Sequence, residues 1–484
     1  MNIFSGNKKA RFIKTSMLVG AMLVTAPMAT AQAQNEWNIN QTDFNQDVLR
    51  ALSDFDKTTR TISPGADDAE YNTLSLREAV ELAISTNPEY GLLSSNKRAT
   101  AKELEQAQAL YRPSVDFAAD AGVEYTDNPT GTSIDDEETL GRYDTSLTLT
   151  QMLYDGGGTF RENQRQKARV LSAQNRVREG AELIGLSVVE FYLEILRRRE
   201  LLDVARQNIQ THRDFLSDIR ENARLGKASQ ADIIQVEARL EDALAAANNI
   251  KRDLEIARSN FKREVGARAY SLVPPLVPDF TLNTNVEQEI YAALQNSPTL
   301  SIFEADIKVA EEEMEAAKAS LYPEVDFQMN ARTGDNIAGI QGQDTDASAL
   351  VVMNWNLYRG GGDTARIQEF KYRHSREKEE YAQAARDVEN EVRNTWADLQ
   401  AARQRMMNFQ RQADANEKLV DAYEDQFLAN RRTLLDVLDV QNELFISSSA
   451  AINEKYLAQF STYRLLSLKG ELLTTLDVNI PERL

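Results

Sequence analysis

The 484 residues contain no cysteine and only two histidines, His212 and His374. Without cysteine there is no disulfide framework and no thiolate metal site, so packing alone must hold the fold. The two histidines stand far apart on charged segments without an H-E-x-x-H spacing, which excludes the common transition-metal arrangements; both are expected at the surface. Beyond the N-terminal leader no run of about 18 apolar residues occurs, which excludes a helical membrane span and leaves strands as the only route across a bilayer. Basic residues are also short: 55 Lys and Arg face 75 Asp and Glu, a net charge of -20. A nucleic-acid partner would need a basic patch, and none is found. The excess acids read mainly as solvated helix faces, and an acidic lumen would favour cations.

The first 34 residues have the layout of a cleaved secretory signal: Lys8, Lys9, Arg11 and Lys14 precede an apolar stretch from Met17 to Met28, and Ala29, Ala31 and Ala33 offer small-residue cleavage sites. Residues 35–73 are polar and receive no assignment.

What remains is a duplication. AQALYRPSVDF at 107–117 matches AKASLYPEVDF at 317–327, aligning Pro113 with Pro323 at an offset of 210, which Asn87-Pro88 and Ser297-Pro298 keep. The Leu-Tyr-x-Gly-Gly-Gly corners ending at Gly156, Gly157, Gly158 and at Gly360, Gly361, Gly362 match at 204, as do Asp232 with Asp436 and Val236 with Val440. The expected division is repeat 1 over 74–265, a linker over 266–285, repeat 2 over 286–470 and a tail over 471–484.

Each copy opens with a helical segment, 76–110 and 286–321, ended by a proline. An alternating hairpin follows, about 114–153 and about 324–357. Val115, Phe117, Ala119, Ala121, Val123 and Tyr125 share one strand face and Asp116, Asp120 and Glu124 the other; the later return strand sets Val351, Met353, Trp355 and Leu357 against Val352, Asn354 and Asn356. This is the dyad pattern of transmembrane barrel strands, with Tyr125, Tyr143, Tyr154, Trp355 and Tyr358 near the ends as a girdle; alternation alone equally fits a soluble amphipathic hairpin. Long helices come next, over about 159–262 and 363–468. No proline interrupts 158–226 or 362–430, and a continuous helix of that length would reach roughly 100 Å. Leu183, Leu186, Val189, Tyr192, Leu193, Leu196 and Leu201 recur at spacings suited to side-by-side helix packing. Four strands per chain cannot close a barrel, so copies must be pooled; three copies give about twelve strands, enough for a passage.

With both prolines, both glycine corners and the TLLDVLDV turn in order, the chain resembles the TolC-like outer-membrane efflux and secretion proteins over roughly 74–473. The resemblance implies a mainly α fold with a transmembrane β part: a homotrimer with a composite twelve-stranded barrel, four strands per chain, above a long α-helical periplasmic barrel. It also implies a passive export duct rather than an enzyme, placed in outer-membrane lipid and docking a periplasmic adaptor (membrane fusion) protein and an inner-membrane ABC or other transporter, with no cofactor. On the family's pattern Asp436 and Asp439 ring the periplasmic entrance as a cation-selective gate. Arg432 latches it, with Asp232 of a neighbouring chain as its partner. Phe427 stands where the family often has a latch tyrosine. The adaptor would meet the tip turns Leu225, Gly226, Lys227 and Leu428, Ala429, Asn430, the second of which lacks glycine. The glycine triplets lack the GK-[ST] of a phosphate loop and read as flexible strand-to-helix corners. Type I protein secretion is favoured over drug efflux; a trimeric adhesive fibre and a soluble helical scaffold are the readings from other classes.

Overall fold

The computed structural model describes residues 73–127, 137–267, 271–278, 282, 284–337, 340–429 and 431–479. The leader and nearly all of the polar segment lie outside them. The elements in chain order are β1 (Thr73–Leu74), α1 (Leu76–Thr86), α2 (Pro88–Ala109), β2 (Ser114–Asp127), β3 (Glu137–Tyr154), α3 (Gly158–Arg224), α4 (Gln230–Val265), β4 (Ser271–Leu272), α5 (Val286–Asn296), α6 (Pro298–Ala317), β5 (Glu324–Ile337), β6 (Ile340–Asn354), α7 (Gly362–Leu428), α8 (Leu434–Leu468) and α9 (Leu472–Thr475). No described helix is long and apolar enough to cross a membrane.

The segments expected as single helices, 76–110 and 286–321, each break into two. Asn87 and Ser297 are extended, with ψ of 125° and 124°, because each precedes a proline that occupies the first turn of the next helix. Asn87 Oδ1 then accepts a hydrogen bond from the Glu89 amide at 2.8 Å, capping α2.

The four long strands form one antiparallel sheet in the order β2-β3-β5-β6, so the two repeats meet where β3 pairs with β5. The register runs Phe117↔Leu147↔Ala331 and Asp116↔Thr148↔Asn330. Near the helices one face is therefore apolar across the strands, with Phe117 on it 70% exposed in the single chain, and further along the same face carries Thr145, Thr333 and Thr345. The opposite face is polar and ion-paired: Arg332 grips Asp144 with contacts of 2.8–3.0 Å, and Arg142 reaches Asp120 and Glu124 at 3.0 and 2.8 Å. β6 ends at Asn354, so Trp355 and Leu357 lie beyond the strand expected to contain them. Trp355 instead donates through Nε1 to the Leu321 carbonyl at 3.2 Å.

Both glycine corners pass through the left-handed backbone region. Gly157 and Gly361, at φ 85° and 86°, are the left-handed N-caps of α3 and α7, which run 67 residues each. Of the expected stripe on α3, Val189, Tyr192, Leu193, Leu196 and Leu201 are buried and Leu186 partly so, whereas Leu183 is exposed. The main core packs α3 with α1, α4, α8 and the chain end. There the Tyr192 hydroxyl lies 2.8 and 2.6 Å from the carbonyls of Leu74 and Val273, bridging the parallel pair β1 and β4.

Not every acid is solvated. Lys469 and Glu289 form a buried pair at 3.3 Å. Glu182 is 4% exposed, and its carboxylate meets the amides of Leu472 and Leu473 at 3.2 and 3.4 Å. Burial pushes the Glu182 carboxyl up to about 7.

Candidate functional site at the helical tip

The far ends of the long helices form two helix-turn-helix tips, one per repeat, that share a core. Phe215, Leu216, Ile219 and Val236 from the first copy pack with Leu434, Val437 and Leu438 from the second. Phe427, identified as the departure from a latch tyrosine, belongs to this core: its ring meets that of Phe215 at 5.9 Å, tilted by 58°.

The turns are built alike. At the first, Gly226 has φ 74° and the Lys227 amide donates to the Asn222 carbonyl at 2.8 Å. At the second, the Arg431 amide donates to the Gln426 carbonyl at 2.8 Å, the same bond displaced by 204. Leu225, Lys227, Leu428 and Ala429 flank these turns; Asn430 lies outside the described residues.

Each turn leads into a capping box. Ser229 and Thr433 are N-caps, and the carboxylates of the third helical residues, Asp232 and Asp436, accept hydrogen bonds from the cap amides at 2.8 and 3.1 Å. The two aspartates matched by the repeat therefore share a local structural duty. The Thr433 hydroxyl, then its amide, holds the Asp436 carboxyl below the usual range.

Around this common frame the second copy carries charge the first lacks. Arg432 lies 3.9 Å from Asp436, its guanidinium stacks over Tyr423 at 4.0 Å, and its Nε donates to Gln426 at 3.3 Å. Asp232 is held by Ser229 within its own tip. Asp439, one turn beyond Asp436, pairs with Arg239 of α4 at 3.1 Å. Neither Tyr423 nor Arg239 was singled out in the sequence; Tyr423 stands one turn before Phe427, a spacing that a search for an aromatic platform on that face would have tested.

His212, expected at the surface, is 4% exposed. Burial and, secondarily, the nearby Arg239 charge push its imidazole down. His374 is half-buried. Among the described residues no three acids or histidines converge as a metal site.

These features define a class: outer-membrane channels in which a strand sheet continues into helical hairpins. The family model described as "Outer membrane efflux protein" matches residues 79–267 and 290–471, and the chain belongs to that family. Its location is the outer membrane. The chain is similar to the outer membrane efflux protein BepC of Brucella suis, 23% identical over 76% of this chain and 78% of that protein. It is similar also to the alkaline protease secretion protein AprF of Pseudomonas aeruginosa, 22% identical over 79% of this chain and 82% of that protein. A membrane protein crystal structure from Pseudomonas aeruginosa superposes with a TM-score of 0.73 at 17% identity, covering 82% of this chain and 91% of that one, a likeness of fold.

Proposed function

We propose that this chain is one third of a passive outer-membrane exit duct that receives a polypeptide from an inner-membrane transporter through a periplasmic adaptor, as in type I protein secretion. The carrying observation is the four-stranded sheet with one apolar face, edge strands β2 and β6, and two 67-residue helices leaving it. Four strands cannot close, and an open edge in a bilayer leaves backbone groups without partners, so neighbouring copies supply the missing pairing. Three copies give a lumen lined by the polar strand face.

In this reading the tip is the periplasmic gate. Threefold symmetry gathers Asp436 and Asp439 into a ring of carboxylates, which attracts cations and repels anions. Arg432 closes the ring by pairing with Asp232 of the neighbouring copy, in exchange for its contact with Asp436. The similarity to AprF, named for protease secretion, supports a protein cargo; the similarity to BepC, named for efflux, supports small-molecule export as the second reading.

The test is conductance in planar bilayers for wild type and an Asp436→Ala, Asp439→Ala double variant, with and without millimolar divalent cation. Wild-type channels should be cation-selective and blocked, and the double variant should need about tenfold more cation for block. Absence of channels from a folded protein would overturn the duct; unchanged block would overturn the gate.

A further inference from the structure

The chain holds one junction between its repeats, and the surfaces that form it recur at its two outer edges. At the junction β3 of repeat 1 pairs with β5 of repeat 2, and the glycine corner after β3 seats against the turn before β5. A Cβ on Gly156 would lie 2.7 Å from Ala319 O and Tyr322 Cβ, and one on Gly158 would lie 3.3 Å from Ala319 Cβ. Only glycine permits so close a seat. At the outer edges the matching corner is Gly360 to Gly362 and the matching turn is Ala109 to Arg112, by the offsets of 204 and 210. Among the described residues nothing comes within 4 Å of a Cβ at Gly360, Gly361 or Gly362. Both edge surfaces are exposed, whereas their junction counterparts Gly156, Gly158 and Ala319 are half-buried.

Strand pairing agrees with both offsets, since Ser114↔Thr150 in the first hairpin falls on Glu324↔Asn354 in the second. Past those residues the copies part. β3 continues to Tyr154 because Gln151, Met152 and Tyr154 pair with Phe327, Asp326 and Val325 of β5. β6 stops at Asn354, and the matching residues Trp355, Asn356 and Tyr358 are exposed. They are nonetheless already placed. Trp355 donates to the Leu321 carbonyl at 3.2 Å as Gln151 donates to the Tyr111 carbonyl at 3.1 Å, the same bond at the repeat offsets. An indole and an amide thus hold one backbone position, next to which β3 has a strand partner.

A second copy of this chain carries that partner on its free edge, β2. Transferring the β3–β5 register by the two offsets sets Met353, Val351 and Ala347 of β6 opposite Ala119, Ala121 and Tyr125 of the next copy's β2. Each larger side chain then meets an alanine on the apolar face. A slip of one residue would put polar side chains on that face, and a slip of two would draw the corner about 7 Å off its turn. We propose that copies join in this one register, with Ala109 to Arg112 of the next copy seated on the Gly360 to Gly362 corner. This rests on the duct reading for the presence of a second copy and adds how the edges align.

Cysteine pairs provide the test, since the native chain has none. Gly158→Cys with Ala319→Cys should close a disulfide within one chain, and Gly362→Cys with Ala109→Cys should close one between chains. Val351→Cys with Ala121→Cys should also join chains, at least about fivefold faster than Val351→Cys with Ala119→Cys or Val123→Cys, whose Cβ atoms stand roughly 7 Å apart. Oxidation of the full-length protein in membranes would be followed on non-reducing gels, and its assembled mass by light scattering after extraction. A monomeric protein would overturn this proposal together with the duct. An assembled, conducting protein whose shifted pairs react as fast as the matched pair would overturn the register alone. So would a corner pair that stays reduced while Gly158→Cys and Ala319→Cys join. Should a corner variant misfold, the strand pairs, which leave both corners intact, still decide.

Discussion

The two tips of this chain share a backbone and differ in what hangs from it. Ser229 with Asp232 and Thr433 with Asp436 form the same capping box, and each turn closes with the same hydrogen bond. At the repeat offset of 204, however, Arg432 replaces Ala228, Asp439 replaces Gln235, Tyr423 replaces Ile219 and Phe427 replaces Ala223. Ala228 and Ile219 serve the shared core, and so does Tyr423, which in addition carries the Arg432 guanidinium over its ring. Repetition preserved the groups that satisfy backbone donors, whose loss is penalised in either copy. Side chains outside that duty were free to diverge, and charge moved to different positions in the two copies: Arg224 and Glu237 of the first stand where the second has Leu428 and Gln441. The main core repeats the lesson: Glu182 is buried against the chain end, while Arg386 at the matching position is exposed.

The comparison breaks first in the core that the tips share. Leu438→Ala removes a fully buried side chain and should cost about 3 kcal/mol, lowering hydrogen-exchange protection in both tips together. Loss confined to α8 would mean that the copies are stabilised separately.

At Glu182 the asymmetry should appear as a pH dependence. A carboxyl held at about 7 when folded, against 4.5 ordinarily, adds stability below pH 4.5 that disappears as pH rises through 7. Glu182→Gln should therefore match wild type near pH 4.5 and exceed it at pH 8, by up to about 3 kcal/mol in thermal or denaturant unfolding. A constant difference across that range would assign the effect to packing.

Smaller effects test the sameness of the caps. Ser229→Ala and Thr433→Ala should each loosen the helix they begin by about 1 kcal/mol, and by similar amounts, in amide exchange of the first turn. Smallest is the aromatic platform: Tyr423→Phe keeps the ring beneath Arg432 and should leave single-channel open probability unchanged. Tyr423→Ala should weaken the stack by about 0.5–1 kcal/mol and shift that probability as Arg432→Ala does.

Much of this architecture was legible in order along the chain. Proline and glycine act locally, so Pro113, Pro323 and the glycine corners marked the hairpin boundaries to within a few residues. Strand alternation of period two assigned the two sheet faces. Errors arose where the local signal was weaker or misapplied. Pro88 and Pro298 break their helices as Pro113 ends one, but a proline is also tolerated in a first helical turn, so the residue type alone does not mark the break within 76–110 and 286–321. Trp355 was placed in a strand because its neighbours alternate, whereas its indole bond to Leu321 lies outside the ladder.

By itself, then, the sequence determined the duplication, the alternation of the four strands and the unbroken helices, all of which rest on periodicity or on neighbours within four residues. Only the tertiary structure decided that Arg239 reaches Asp439 across 200 positions, that Glu182 and His212 are buried, and that the Gly156 corner seats against Ala319. Burial and charge pairing depend on which helices lie side by side. Surface and core glutamates look alike in sequence, and only packing separates them.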